Sequence, residues 1–266
     1  MDKEFQIAGK KLKSRLFIGT GKLPTYKIIP DIVKKTGVEV LTVAVRRINP
    51  TSKLENIMNY IPKDIIIMVN TSGARNADEA VKIARIGSEI SGSKWIKIEI
   101  EADTKYLAPD NEETIKATKK LVQEGFLVFP YITPDLITAK KLEKAGAAAV
   151  MPLGSFIGTN KGITCETLIK PIIQEIKIPV IIDAGIGRPS HAAKAMEMGA
   201  SAILVNTAIA IAKDPVKMAV AIDMAVRAGR IAYEIGILAE REFAEASSPL
   251  TGFLKDKKND KRNNKK

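Results

Sequence analysis

The residues best suited to chemistry are a lysine and a glutamate inside an otherwise apolar segment, 95–100, which reads Trp-Ile-Lys-Ile-Glu-Ile. Side chains alternate between the two faces of a strand, so Lys97 and Glu99 share one face with Trp95. In a closed parallel barrel that face points inward, where unused charges are costly. Burial would then lower the pKa of Lys97 and provide a neutral amine for Schiff-base chemistry. The alternative is an ordinary ion pair on the wet face of an antiparallel strand.

A third candidate, Asp183, ends the apolar segment 179–182 and precedes a glycine-rich turn at 184–190. An aspartate at a strand end suits proton transfer, but it can equally cap a helix or brace a loop. Glycines let backbone N–H groups approach an anion closely. Similar turns occupy 151–159 and 206–208. Three such turns at adjacent strand ends indicate a phosphorylated substrate.

Eight short β-rich segments, with longer amphipathic segments between them, would position these groups. We predict strands at 16–18, 39–45, 65–69, 95–100, 127–131, 148–151, 180–183 and 202–205. Helical patterns include 77–91, 111–124, 135–145, 189–198 and 215–234. Strands that alternate with helices in a single domain-sized chain predict a (β/α)8 TIM barrel, with its active site at the C-terminal strand ends. A doubly wound open sheet is the alternative, but Gly19-Thr20-Gly21 lacks the third glycine of a dinucleotide fingerprint.

Composition excludes several classes of protein. The chain has 266 residues, one cysteine, one histidine and 45% hydrophobic residues. Neither an internal disulfide nor a cluster of cysteine or histidine metal ligands can form from so few residues. No apolar segment is long enough for a membrane span and no secretory signal opens the chain, so we expect a cytoplasmic protein.

The net charge of +12 could suggest nucleic-acid binding. However, residues 255–266 hold seven Lys or Arg and two Asp, contributing 7 − 2 = +5 without a single apolar side chain. We therefore predict a catalytic domain over 1–254 and a disordered basic tail over 255–266. The remaining charge, in a chain with only 5% aromatic residues, fits an anionic small substrate better than a nucleic-acid surface.

Taken together, these segments resemble the bacterial-type thiazole synthases of thiamin biosynthesis. The resemblance runs in order from about Phe5 to Phe253. The segments that carry it are 46–49 (RRIN), 70–73 (NTSG), 95–99 (WIKIE), 151–155 (MPLGS), 183–187 (DAGIG), 206–210 (NTAIA) and 246–249 (ASSP).

The resemblance implies a cytoplasmic (β/α)8 enzyme, usually a homotetramer. It would assemble a thiazole phosphate from 1-deoxy-D-xylulose 5-phosphate, dehydroglycine made by another enzyme, and sulfur. The sulfur would arrive as a thiocarboxylate at the C-terminus of a small carrier protein. We expect no metal or redox cofactor, no nucleic acid and no membrane partner.

Residue by residue, the resemblance implies that Lys97 forms an imine with the ketose phosphate and that Glu99 and Asp183 are the acid/base carboxylates. Positions implied to bind the sugar phosphate are Gly158, Ala184, Gly185, Asn206 and Thr207. The chain departs from the commoner pattern at Ala74, Phe156, Arg188 and His191.

Two other functions are compatible with parts of this sequence. A class I aldolase acting on a sugar phosphate would share Lys97 and the phosphate turns, but it would release an aldehyde without a sulfur donor. A nucleic-acid-binding protein would need a folded basic stripe with aromatic residues. Of the lesser candidates, Arg46, Arg47 and Arg75 could meet an anion or brace a loop, and His191 is expected at the surface.

Overall fold

A computed structural model of the chain describes residues 5–45, 56–101 and 103–248. Arg46, Arg47 and the predicted tail lie outside the described residues, as does the predicted domain boundary after residue 254. The chain divides into two compact units, the first ending at Gly236 and the second beginning at Ile237. All the elements below belong to the first unit.

Ten strands are described. A short antiparallel hairpin, β1 (Phe5–Ile7) and β2 (Lys10–Leu12), comes first. Eight parallel strands follow: β3 (Leu16–Gly19), β4 (Val40–Ala44), β5 (Ile66–Asn70), β6 (Trp95–Ile98), β7 (Leu127–Ile132), β8 (Met151–Pro152), β9 (Ile181–Asp183) and β10 (Ala202–Val205).

The eight strands close into a barrel. Their hydrogen-bonded order is β8-β7-β6-β5-β4-β3-β10-β9. Parallel bridges from Val150 to Val180 and from Leu153 to Asp183 join the two ends of this order. The predicted (β/α)8 TIM barrel is therefore confirmed, and the open doubly wound sheet is excluded.

Eight α-helices accompany the strands: α1 (Ile29–Thr36), α2 (Ala77–Ser91), α3 (Asn111–Gln123), α4 (Leu136–Lys144), α5 (Glu166–Glu175), α6 (Pro189–Glu197), α7 (Thr207–Ala210) and α8 (Pro215–Ile235). Several begin at side-chain caps; the Asn76 side chain, for example, accepts from the N–H of Glu79 at the start of α2. None of the described helices combines the length and the apolar character needed to cross a bilayer.

The barrel interior is filled by one apolar layer below the polar residues. Phe17, Trp95 and Phe129 belong to this buried cluster, and the rings of Trp95 and Phe129 stack with centroids 4.8 Å apart. Ile7 and Leu12 of the hairpin pack into the same cluster. Side chains that face inward recur at every second position of a strand. The inward-facing residues two positions further along each strand therefore pack on this apolar layer.

Strand β6 shows the predicted alternation. Ile96, Ile98 and Ile100 pack outward into the cluster formed with α2 and α3, whereas Trp95 faces the interior. Some bounds differ from the prediction: β6 ends at Ile98, because Ile100 retains only a single bridge to Ala74. The hairpin was also not predicted. Between β4 and β5, the described residues form one 3-10 turn (Ile57–Tyr60).

Candidate active site

Three ionisable side chains meet at the C-terminal end of the barrel. The Lys97 Nζ lies 2.9 Å from Glu99 Oε1 and also pairs with Asp183 Oδ2. All three residues are at most 5% exposed. Lys97 and Glu99 share the inward face of the β6 segment, and Asp183 ends β9, so barrel closure is what brings them together. The structure therefore assembles the predicted trio.

The sequence analysis expects burial to lower the pKa of Lys97 and make its amine neutral, and this expectation is wrong. Burial alone would lower the pKa of the ammonium, but the adjacent Asp183 and Glu99 carboxylates outweigh burial and raise it above its ordinary value. Burial also raises the pKa of Asp183, although Lys97 opposes this increase. The resting site thus holds a charged lysine next to a carboxyl group with increased affinity for a proton. This arrangement suits proton transfer between the two groups.

Thr71 fixes the backbone that carries Glu99. Its hydroxyl donates to the Glu99 carbonyl and accepts from the Glu99 N–H, each at 2.9 Å. Its own N–H donates to the Lys97 carbonyl at 3.1 Å. Asp183 is held separately, because its Oδ1 accepts from the N–H of Ala184 at 2.6 Å. These contacts keep the carboxylates aligned with the ammonium.

A cavity of about 350 Å³ opens above the trio. Lys97, Glu99 and Asp183 line it together with all five positions expected to bind the sugar phosphate: Gly158, Ala184, Gly185, Asn206 and Thr207. Lys22 and Glu101 line it as well. The cavity can therefore hold a small molecule that touches both the lysine and the loops after strands β8, β9 and β10.

The turn after Asp183 has an unusual backbone. Ala184 and Gly185 both adopt left-handed conformations, with φ of +58° and +75°. A Cβ on Gly185 would lie 2.0 Å from Ser155 Oγ, so only glycine fits there. The left-handed conformation strains Ala184, which has a Cβ, and such backbone strain is typical of functional sites. The N–H of Gly185 finds no acceptor in the described part of the chain and remains available to a ligand.

Asn206 holds the first turn of the barrel with its side chain. With its nitrogen facing two carbonyls, the amide donates to Gly21 O at 2.6 Å and to Gly19 O at 3.1 Å. A Cβ on Gly19 would lie 2.6 Å from Asn206 Cβ, and one on Gly21 would lie 2.8 Å from the amide end of the Asn206 side chain. The side chain of Asn206 is thus already engaged by the first turn of the barrel.

Sequence reasoning missed Tyr131. This tyrosine is fully buried on the inward face of β7, with Lys97 Nζ 5.3 Å from its ring centroid. Its hydroxyl has no hydrogen-bond partner within the described residues. Burial, with the nearby Asp183 and Glu99, raises the pKa of Tyr131, so the phenol stays neutral. The sequence analysis predicts only a strand at 127–131, and a strand alone does not indicate this contact.

His191 is not a simple surface residue. Its Nδ1 accepts from the N–H of Gly187 at 3.2 Å, and its ring packs where a Cβ on Gly162 would be. Partial burial and Arg188 lower the pKa of His191, so it is neutral near pH 7. It therefore braces the two loops that carry Gly162 and Gly187. Across residues 5–45, 56–101 and 103–248, no group of histidine, cysteine, aspartate and glutamate side chains could hold a metal ion.

Comparison with known proteins connects this geometry to one family. The family model described as thiazole biosynthesis protein ThiG matches residues 6–249. A thiazole synthase of Acetivibrio thermocellus is 60% identical over 255 residues, covering 96% of this chain and 100% of its own. Another, from Alkaliphilus metalliredigens, is 58% identical over 250 residues, covering 94% and 97%.

Solved structures with similar folds support the same family. A chain in the crystal structure of the Amycolatopsis orientalis BexX/CysO complex is 33% identical to this one, with a TM-score of 0.80 over 89% of this chain and 97% of that one. Phosphoribosyl anthranilate isomerase of Thermus thermophilus, at 13% identity and a TM-score of 0.55, shares the fold alone. By the extent of the family match and the identity to its curated members, the chain belongs to the ThiG family of thiazole biosynthesis proteins.

Proposed function

We propose that this thiazole synthase of thiamin biosynthesis builds a thiazole phosphate on Lys97, from 1-deoxy-D-xylulose 5-phosphate, dehydroglycine and carrier-borne sulfur. The observation that carries the proposal is a buried lysine between two carboxylates at the floor of a 350 Å³ cavity. A structural ion pair would not need an adjacent cavity lined by glycine turns. An amine that must react with a small ketone does need one.

Lys97 must lose a proton before it can attack the ketone. Asp183 is in contact with Nζ, and burial raises its pKa, so it is suited to take that proton. The transfer leaves a neutral amine and a neutral acid, so it creates no new charge in the buried site. The amine then adds to the ketone, and loss of water from the carbinolamine gives a protonated imine on Lys97.

The protonated imine draws electrons from the neighbouring carbon, whose proton can then be removed. Glu99, 2.9 Å from Nζ, and Asp183 lie where they can shuttle this proton. Return of the proton elsewhere moves the carbonyl along the sugar chain. The thiocarboxylate sulfur adds to the shifted carbonyl carbon, and the carbonyl oxygen leaves with the carrier's acyl group as the C-terminal carboxylate of the carrier. The sulfur then bonds to the imine carbon of dehydroglycine, and the dehydroglycine nitrogen displaces the Lys97 amine to close the ring. Loss of water gives the thiazole.

We place the sugar phosphate at the loops after β8, β9 and β10. Gly158, Ala184 and Gly185 have left-handed backbones, and all three line the cavity. Backbone N–H groups in such turns form concave sites for anions. Asn206 and Thr207 complete this side of the cavity. The substrate would therefore extend from Lys97 at the floor toward the mouth.

The proposed sulfur donor is a small carrier protein. The BexX/CysO complex shows that a barrel 33% identical to this one binds a second protein. Dehydroglycine would be supplied by a separate enzyme, and the reaction would run in the cytoplasm. We also propose a homotetramer, as the resemblance to thiazole synthases implies. Met224, Ala228, Ile231 and Ile235 form an exposed apolar stripe along one face of α8, which supports self-association.

Borohydride trapping tests the proposal. Wild-type protein treated with deoxyxylulose phosphate and borohydride should gain the mass of one reduced adduct, which peptide mapping places on Lys97. Lys97→Met should gain none, whereas Lys94→Met, a control in the same segment, should react normally. An adduct on another lysine, or none from active enzyme, would refute the assignment. Release of an aldehyde from the sugar phosphate alone would indicate an aldolase.

A further inference from the structure

We propose that Lys22 recognises the phosphate of the substrate, so that its ammonium selects a phosphorylated ketose over a neutral one. This inference rests on the proposed function, since it names the residue that sets substrate class in the same cavity. Lys22 lies in the loop after β3, at the opposite end of the sequence from the glycine turns of β8 and β9. No sequence motif indicates a role for Lys22 in the site.

The backbone around Lys22 is built to bring this residue to the cavity. Lys22 has a left-handed φ of +65°, a conformation that costs a residue with a Cβ. The two glycines before it leave no room for a side chain, because the Asn206 side chain fills that space and hydrogen-bonds to both of their carbonyls. The loop is therefore tied to the end of β10, and its lysine is directed over the mouth.

The side chain crosses to the loop that follows β8. Lys22 Nζ lies 4.0 Å from the position that a Cβ on Gly158 would occupy. Gly158 and Gly185 are both cavity-lining residues with left-handed backbones. An anion resting on this glycine surface would thus meet the Lys22 ammonium directly.

The charged residues that line the cavity indicate why a phosphate would need the Lys22 ammonium. The described lining of the cavity contains two lysines, Lys22 and Lys97, against three carboxyl groups, Glu99, Glu101 and Asp183. Lys97 is already paired with two of these carboxyl groups. Because Lys97 is paired in this way, a phosphate dianion needs another cation to attract it, and Lys22 is the other cation of the described lining. Lys22 forms no ion pair with any described residue, so its charge is available.

The test is a comparison of two sugars on matched variants. The rate constant for imine formation is measured for deoxyxylulose phosphate and for unphosphorylated deoxyxylulose, on wild type, Lys22→Met, Lys22→Arg and Lys27→Met. Lys27 is an exposed lysine of the same loop region that does not line the cavity. A charged hydrogen bond is worth about tenfold to a hundredfold in such a comparison.

We expect Lys22→Met to slow the reaction of the phosphorylated sugar by about tenfold to a hundredfold and that of the neutral sugar by less than about threefold. Lys22→Arg should retain most of the preference, and Lys27→Met should match wild type. Equal effects of Lys22→Met on both sugars, or no effect on either, would overturn the proposal while leaving the imine chemistry intact.

A binding measurement separates this proposal from the proposed function. Inorganic phosphate is titrated into wild type and Lys22→Met by calorimetry, which requires no imine. If wild type forms no imine with either sugar, the proposed function fails. The Lys22 proposal is then decided by calorimetry alone: weaker phosphate binding to Lys22→Met supports it, and equal binding refutes it.

Discussion

Lys97 and Asp183 form a buried ion pair across the barrel, although two strands, β7 and β8, separate the strands that carry them. The pair exists only because the barrel closes. Together with Glu99, Asp183 raises the pKa of Lys97 despite its burial. The charge state of the proposed nucleophile is therefore set by a residue from a distant strand.

This relationship predicts a pH shift in the Glu99→Gln variant. Removing one of the two carboxylates should lower the pKa of Lys97, because a nearby opposite charge is worth about one to three pKa units. Since only the neutral amine attacks, the rise of imine formation with pH should move to lower pH by about that amount. The measurement is the rate of borohydride-trapped adduct as a function of pH.

The control for this experiment is Glu112→Gln, which removes an exposed carboxylate that pairs with Lys116. Its pH profile should superimpose on that of wild type. A Glu99→Gln profile that is unshifted, or shifted to higher pH, would show that Glu99 does not stabilise the charged form of Lys97.

Proton transfer after imine formation is tested by Glu99→Gln and Asp183→Asn together. We expect thiazole formation to fall by about 10²–10⁴ in each variant, the usual contribution of a general acid or base. Trapping at Lys97 should persist in at least one of them. Exchange of substrate C–H with deuterated water, followed by NMR without sulfur donor, reports the proton step directly. Glu175→Gln, at an exposed ion pair outside the barrel, is the control.

If both amide variants exchange deuterium at the wild-type rate and still make thiazole normally, the carboxylates are structural. The same experiment distinguishes the two residues, because a loss of exchange in only one variant identifies the base.

The inward face of β6 could be predicted from the sequence because alternation is a local property. Trp95, Lys97 and Glu99 had to share a face whichever strands lay beside them. The direction of the Lys97 pKa shift could not be predicted in this way. It depends on how closely Asp183 approaches, and this distance is fixed by the closure of eight strands.

The residues at the mouth of the cavity could also be predicted only in part from the sequence. Gly158 and Gly185 were recognised from motifs, and both line the cavity. Asn206 was also recognised, but its side chain is engaged by Gly19 and Gly21. Lys22 follows those glycines and was not singled out, because a single lysine after a turn carries no pattern. Only the contact between the first and last strands of the barrel reveals it.

Gly185→Ala should impair substrate binding. The new Cβ would lie 2.0 Å from Ser155 Oγ, at a backbone φ of +75°. We expect the KM for deoxyxylulose phosphate to rise at least about tenfold as the Ser155 loop is displaced. Gly37→Ala is the matched control, since it shares a φ of +67° but meets nothing within 4 Å and does not line the cavity. It should lose about 1 kcal/mol of stability with an unchanged KM. Similar KM values for both variants would contradict the proposed role of this turn.

Tyr131→Phe should stabilise the protein. The Tyr131 hydroxyl is buried without a partner in the described residues, and such a group costs about 1–3 kcal/mol. Phenylalanine removes the hydroxyl and keeps the ring that packs against Lys97. We expect a gain of about 1 kcal/mol, which corresponds to a rise in Tm of about 2–4 °C for a chain of this size. Thermal unfolding of wild type, Tyr131→Phe and the exposed control Tyr233→Phe measures it. A lower Tm for Tyr131→Phe, with Tyr233→Phe unchanged, would mean that the hydroxyl is hydrogen-bonded in solution.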